Sequence, residues 1–164
     1  MDSGKLLAIY RSHLAELGYN IVDDLIVNKY SSVSLEIDYG PFRLLGLERI
    51  EVYITAGDSL VNFSRLVTNP NSTVLSLAYE TDIYLKNFFE FCERVFSIMK
   101  RCGYSKAKKT GIYHNFYKGD KRCLLVLSPD YTVIRFMNSQ KYVLRLKENI
   151  ILVSEDETLE EFLT

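Results

Sequence analysis

Tryptophan is absent from this chain and glutamine occurs once, at Gln140, whereas tyrosine occurs twelve times. That balance leans toward thermophile usage, although nine asparagines count against it. Three cysteines, Cys92, Cys102 and Cys123, show no C-x-x-C spacing. On one helix Cys92 and Cys102 would stand about 15 Å apart, too far to bridge. The three therefore read as reduced core thiols. No apolar run approaches the length of a membrane span. Met1-Asp2-Ser3-Gly4-Lys5 does not open a basic-then-apolar secretion signal, so the expected location is the cytoplasm and the expected partners include no membrane. The sequons Asn62-Phe63-Ser64 and Asn71-Ser72-Thr73 carry little meaning in that setting. There is no Gly-x-Gly-x-x-Gly, P-loop or nucleophile elbow.

What is present is a globular composition, 48% hydrophobic and 25% charged over 164 residues. That suits one domain or two small halves sharing a core. The net charge of −1 hides an asymmetry. Residues 1–82 carry six cations and eleven acids, and residues 83–164 carry fourteen cations and ten acids. Such polarity bears on partners and not on fold.

The chain is organised around an apolar helix followed by a basic hairpin. Leu85, Phe88, Cys92, Val95, Met99 and Cys102 recur at three- and four-residue steps. Phe89, Phe91, Phe96 and Ile98 widen that face beyond a surface stripe, so most of the helix circumference should be buried. From Lys100 to Arg122 there are eight cations and one acid, interleaved with Tyr104, Tyr113, Phe116 and Tyr117.

In order, Lys5–Leu17 reads as a helix capped by Ser3 and ended by Gly18. A first meander follows: Ile21–Lys29, Val33–Tyr39, a turn at Gly40-Pro41, Phe42–Leu47 and Arg49–Thr55. Its alternation gives one core face and one acidic face with Glu36, Asp38 and Glu51. Asp58 caps a short helix over Ser59–Val67. Asn69-Pro70-Asn71-Ser72 is the strongest boundary signal. Thr73–Tyr79 reads as a strand, with Thr81 or Asp82 capping the central helix. A shift of 85 residues places Leu6, Tyr10, Ser12, Leu14, Leu17, Gly18 and Tyr19 on Phe91, Val95, Ser97, Met99, Cys102, Gly103 and Tyr104. That correspondence suggests a diverged internal repeat.

The second meander is fixed by three turns. Gly119-Asp120 places Tyr117 opposite Arg122 and His114 opposite Leu125, and Pro129-Asp130 places Leu125 opposite Ile134. Asn138-Ser139-Gln140 places Phe136 opposite Tyr142. The inner face then collects Ile112, His114, Phe116, Cys123, Leu125, Leu127, Ile134 and Phe136. The outer face collects Tyr113, Tyr117, Arg122, Leu124, Val126, Arg135, Lys141, Arg145 and Lys147. A slip of one residue would exchange the two sets. Ser154-Glu155-Asp156-Glu157 is a capping box that opens a short acidic C-terminal helix.

The fold class expected is therefore α+β, with two related helix-plus-antiparallel-meander halves whose sheets pack against helices. Residues 1–70 form the acidic half and residues 71–164 the basic one, together making one compact unit. The candidate site is the outer face of the second meander with its adjoining entry loop, which carries Lys106, Lys108 and Lys109. Its residues are Lys106, Lys108, Lys109, Tyr113, Tyr117, Arg122, Arg135, Lys141, Arg145 and Lys147. Phosphates need cations and unpaired bases need flat rings to stack on, so the partner expected is single-stranded RNA or DNA. A solvated antiparallel face is the plainer explanation of the same cations, and the pI of about 6.1 counts against a dedicated nucleic-acid binder.

The run Gly103-Tyr104, Lys109-Thr110-Gly111 and Phe116-Tyr117 resembles a short stretch of the catalytic domain of archaeal tRNA-splicing endonucleases. Tyr113-His114 beside Lys109 invites a nuclease reading, with tyrosine as base, histidine as acid and lysine as electrostatic stabiliser. That family's second-strand histidine and the lysine opening a later helix have no match here. The register also turns His114 into the core, so the family is not carried over. His13 reads as a solvated helix position, and adjacent Asp23-Asp24 as a turn. No catalytic residue, metal ligand or cofactor is assigned. The expected function is a non-enzymatic binding protein. The alternative is a protein–protein adaptor, or a self-associating protein that pairs its acidic and basic faces.

Overall fold

The computed structural model describes residues 2–30, 32–42, 47–56, 59–110, 113–127, 131–136, 141–147, 150–153 and 163. For residues 41–42, 59, 108–110, 131–136, 141–147 and 150–153 that description is of the backbone. The architecture is α+β, and the described residues include two long helices and two antiparallel sheets. The chain divides into two compact units, Met1–Ala56 with Leu60–Leu85, and Gly57–Ser59 with Lys86–Thr164.

In the first unit, α1 spans Ser3–Glu16. Its cap is Asp2 and not Ser3: the Asp2 carboxylate accepts the Lys5 N–H at 2.8 Å. β1 (Ile21–Val22), β2 (Leu25–Val27), β3 (Ser32–Phe42), β4 (Leu47–Ala56) and β5 (Ser59–Leu66) form a sheet in that sequential order. Asp23, at φ 55, makes the reversal between β1 and β2. Val33, Leu35, Ile50, Val52, Ile54 and Ala56 are buried on one face together with Leu6, Tyr10 and Leu14 of α1.

Further expectations for this unit are corrected. Gly40-Pro41 is not a turn, because β3 runs through it and Pro41 partners Glu48. β2 pairs with β3 only at Ser32–Ser34, so Pro41 lies where β3 has β4 alone beside it. There the missing N–H costs no ladder bond. Ser59–Val67 is not a helix but strand β5, whose pairing with β4 overrides a weak local preference. Thr73–Tyr79 is not a strand, because α2 spans Pro70–Arg101. The Asn-Pro signal is that helix's start: Asn69 Oδ1 accepts the Ser72 N–H at 3.2 Å and Pro70 takes the first helical position.

Thr81 and Asp82 therefore cap nothing. They sit inside α2 and hold the first unit together. The Thr81 hydroxyl donates to the Leu77 carbonyl at 2.8 Å and lies 2.6 Å from the buried Tyr10 hydroxyl. Its single proton is already committed, so Tyr10 is the donor in that pair. The Tyr19 hydroxyl donates to the Asp82 carboxylate at 2.7 Å.

In the second unit, α2 buries Phe88, Phe91, Cys92, Val95 and Met99. Burial of each large apolar side chain contributes about 1.5–3 kcal/mol. The sheet is again sequential: β6 (Ser105–Thr110), β7 (Tyr113–Lys118), β8 (Lys121–Leu127), β9 (Tyr131–Phe136), β10 (Lys141–Lys147) and β11 (Ile150–Val153). The expected partners Tyr117–Arg122, His114–Leu125 and Leu125–Ile134 are all found. The β9–β10 register differs. Tyr142 partners Ile134 and not Phe136, a slip of two residues that keeps the parity of the ladder. Ile112 and most of the expected acidic C-terminal helix lie outside the described residues.

α1 and α2 end in the same way. The Gly18 N–H donates to Ala15 O at 3.0 Å and the Tyr19 N–H to Leu14 O at 3.2 Å. The Gly103 N–H donates to Lys100 O and the Tyr104 N–H to Met99 O, each at 3.0 Å. Gly18 at φ 100 and Gly103 at φ 88 occupy the left-handed region this motif requires.

Candidate nucleic-acid interface

The candidate face is set by one hairpin. Gly119, at φ 58, lets β7 turn into β8, and that turn aligns Tyr117 with Arg122, Asn115 with Leu124 and Tyr113 with Val126. His114, Phe116, Cys123, Leu125 and Leu127 are buried toward the helix, so the alternate residues face out. Tyr113 is 47% exposed, Tyr117 39% and Leu124 38%. The Arg122 guanidinium carbon lies 5.1 Å from the Tyr117 ring centroid, within cation–π range.

The ladder extends this pattern across the sheet. Asn115, Leu124, Arg135 and Lys141 are successive register partners on β7 to β10. Tyr113, Val126, Val133 and Val143 form the next row. Arg145 partners Tyr131 and Leu152, and Lys147 partners Ile150. The backbone thus brings Tyr113, Tyr117, Arg122, Arg135, Lys141 and Arg145 to one face, with Lys147 at its far margin. In register, the row of Tyr113, Val126, Val133 and Val143 separates the row of Arg135 and Lys141 from Arg145.

Lys106, Lys108 and Lys109 do not lie on a loop. They belong to β6, the edge strand beside β7. Lys106 is the partner of Phe116, and its Nζ lies 5.2 Å from the Phe96 ring centroid on the helix side of the sheet. Lys109 is the partner of His114, with a register shift between Lys106 and Lys109. Two of these three lysines are therefore register partners of inward-facing residues rather than of Tyr113 or Tyr117.

His114 is fully buried and meets Phe96 edge-on at 5.2 Å between ring centroids. Phe116 does the same at 5.2 Å. Burial pushes the Cys123 thiol up to about 12 and raises the Cys92 thiol further. Both stay protonated and so are poor nucleophiles. Among the described residues, no group of three or more His, Cys, Asp or Glu could hold a metal ion. No described helix is long and apolar enough to cross a membrane. A shallow groove of about 530 Å³ along α2 is lined by Glu90, Glu93, Arg94, Ser97, Ile98 and Arg101, with both charge signs represented.

Strand alternation places Leu124 on the outer face, outside the expected site residues. Leu124 is exposed in the register row of Asn115, Arg135 and Lys141, which makes the face partly apolar. An apolar residue on an otherwise charged strand face was the available signal. The chain matches no family model, no curated protein and no solved structure.

Proposed function

We propose that this chain is a non-enzymatic binding protein that contacts single-stranded nucleic acid through the outer face of β7–β10. The observation that carries the reading is the Arg122–Tyr117 pair beside exposed Tyr113 on one sheet face. A guanidinium over a tyrosine offers a phosphate contact next to a stacking surface. Tyr113 and Tyr117 are four residues apart on a strand, about 14 Å, so each would take a separate base. Arg135, Lys141, Arg145 and Lys147 would follow the phosphates. The acidic first half opposes a general attraction to polyanions, so binding would depend on this face alone.

The test is fluorescence anisotropy with labelled single-stranded RNA, single-stranded DNA and duplex DNA at two salt concentrations. Preference for single strands with steep loss at higher salt is expected. Absence of binding at low salt would remove the proposal and leave the cations as a solvated face.

A second reading is favoured by the outer face of the first sheet. Val22, Leu25 and Val27 are exposed there, on the same face as Glu36, Asp38 and Glu51 further along the sheet. An acidic, partly apolar face in one half and a basic, partly apolar face in the other could pair between molecules, or hold a protein partner. Association of that kind weakens with salt, and light scattering at low and high salt measures it.

We also infer that the two halves are diverged copies of one helix–meander unit. The matched helix ends at Gly18 and Gly103, each followed by a sequential antiparallel sheet, support this. An experimental structure in which residues 3–56 fail to superpose on the segment beginning at Phe88 would contradict it.

A further inference from the structure

The two sheets have four edges, and three carry features that discourage strand addition. β1 is two residues long and β11 four. β6 carries Lys106, Lys108 and Lys109 and a register irregularity between Lys106 and Lys109. Short length, edge lysines and irregularity are how sheets normally avoid pairing with other chains.

β5 has none of these. It is eight residues long, ends the first sheet, and contains no proline or lysine. No residue from Leu60 to Leu66 is buried; Leu60 is 66% exposed and Leu66 49%. Its one cation, Arg65, is paired with Glu80 of α2. The Phe63 ring meets Tyr84 edge-on at 5.8 Å. One face of β5 is thus held to α2 by Phe63 and Arg65, and the other carries Leu60, Asn62, Ser64 and Leu66 outward. The backbone agrees with this. The Val67 N–H donates to Glu48 O at 2.9 Å. By regular alternation along the strand, the N–H groups of Asn62 and Ser64 turn away from β4.

On the outward face of β5 the residues are symmetric in kind about Phe63, whereas on the face toward α2 Val61 falls opposite Arg65. In antiparallel self-pairing centred on Phe63, Leu60 meets Leu66 of the other copy and Asn62 meets Ser64. Apolar faces apolar at both ends and small polar faces small polar in the middle. The strand's only charge is already neutralised within its own copy, so two copies do not repel. We propose that β5 is a dimerisation edge, where two copies pair β5 antiparallel about a two-fold axis at Phe63 and join their five-stranded sheets. This isologous arrangement fits the commonest symmetry of protein assemblies. It uses backbone hydrogen bonds and leucine contacts, and does not depend on the nucleic-acid reading.

Sedimentation velocity on the full chain over a wide concentration range, at low and high salt, tests this. The expected result is a monomer–dimer equilibrium that does not weaken with salt, unlike pairing of acidic and basic faces. Ser64→Pro and the double substitution Leu60→Lys/Leu66→Lys should both give monomers with unchanged far-ultraviolet circular dichroism. Amide hydrogen exchange on the unmodified chain gives an independent readout: Asn62 and Ser64 should gain protection as concentration rises. A monomer at every concentration, a dimer that persists in the folded variants, or exchange at Asn62 and Ser64 independent of concentration overturns the proposal.

Discussion

Arg122 and Tyr117 are direct partners across the β7–β8 ladder, and the Arg122 guanidinium carbon lies 5.1 Å from the Tyr117 ring centroid. The two side chains would contribute to single-strand binding by different physics, and the difference is measurable. Arg122→Ala removes a cation, so the slope of log affinity against log salt should fall by about 0.7. Tyr117→Ala removes a stacking ring, so affinity should fall while that slope stays the same. Anisotropy titrations over a salt series separate the two. Equal slopes in the unmodified chain and Arg122→Ala would mean that Arg122 meets no phosphate.

The Tyr10–Thr81 pair ties α1 to α2 within the first unit. Tyr10 and Thr81 are both fully buried, and the Thr81 proton is committed to Leu77. Thr81→Val strands the Tyr10 hydroxyl without an acceptor and should cost about 1–3 kcal/mol. Tyr10→Phe loses one hydrogen bond without stranding a donor and should cost about 1 kcal/mol. The double variant should be more stable than the sum of the single losses predicts. Urea unfolding of the three variants measures this, and strict additivity would mean that the two hydroxyls are not coupled.

Gly18 and Gly103 share one conformation for one reason, so their alanine variants should behave alike. A left-handed non-glycine residue costs about 1–2 kcal/mol. At Gly18 an added Cβ meets nothing within 4 Å, and at Gly103 it meets Lys118 Cε at 3.3 Å, the flexible part of a side chain. Each substitution should therefore lower stability by a similar amount. Thermal melts check this, and a null effect at either site would deny the left-handed cap there.

Stability should fall in alkali. Burial is the main cause raising the Tyr10 and Tyr19 hydroxyls above 10.0, with the Asp82 hydrogen bond and charge adding to Tyr19. Burial likewise raises Cys92 above 9.0 and Cys123 from 9.0 to about 12. Each group stays protonated in the folded chain at pH values where the unfolded chain has lost the proton. The folded state then binds more protons, so stability declines as pH rises. It should be intact below the unfolded thiol range of about 8.5–9, and be lost progressively above it. Urea midpoints across that range give the slope, and a flat profile would contradict the burial of these groups.

Much of the second sheet was legible because period-two alternation is strict there. Tyr113, Tyr117 and Arg122 could be set apart from His114, Phe116 and Cys123 from sequence alone, and the burial pattern agrees. The β9–β10 register was missed by two residues, an error that alternation cannot detect. The first half was harder. Asn69-Pro70 is both a loop signal and a helix cap with its first residue, and Thr73-Val74 is β-branched, so the start of α2 read as a strand. β5 read as a helix because its eight residues give little periodicity to separate the two periods. Lys106 looked like part of the basic face because charge was counted along the chain, whereas the ladder pairs it with Phe116.

The most direct test of the central claim is the single-strand affinity of Tyr113→Ala/Tyr117→Ala at low salt. The reading predicts a loss of at least about tenfold, since each stacked base contributes about 1–3 kcal/mol. The fold should be unchanged, because both rings lie on the outer face. Unaltered affinity in a folded double variant would contradict it and leave no role for the tyrosine-bearing face in binding.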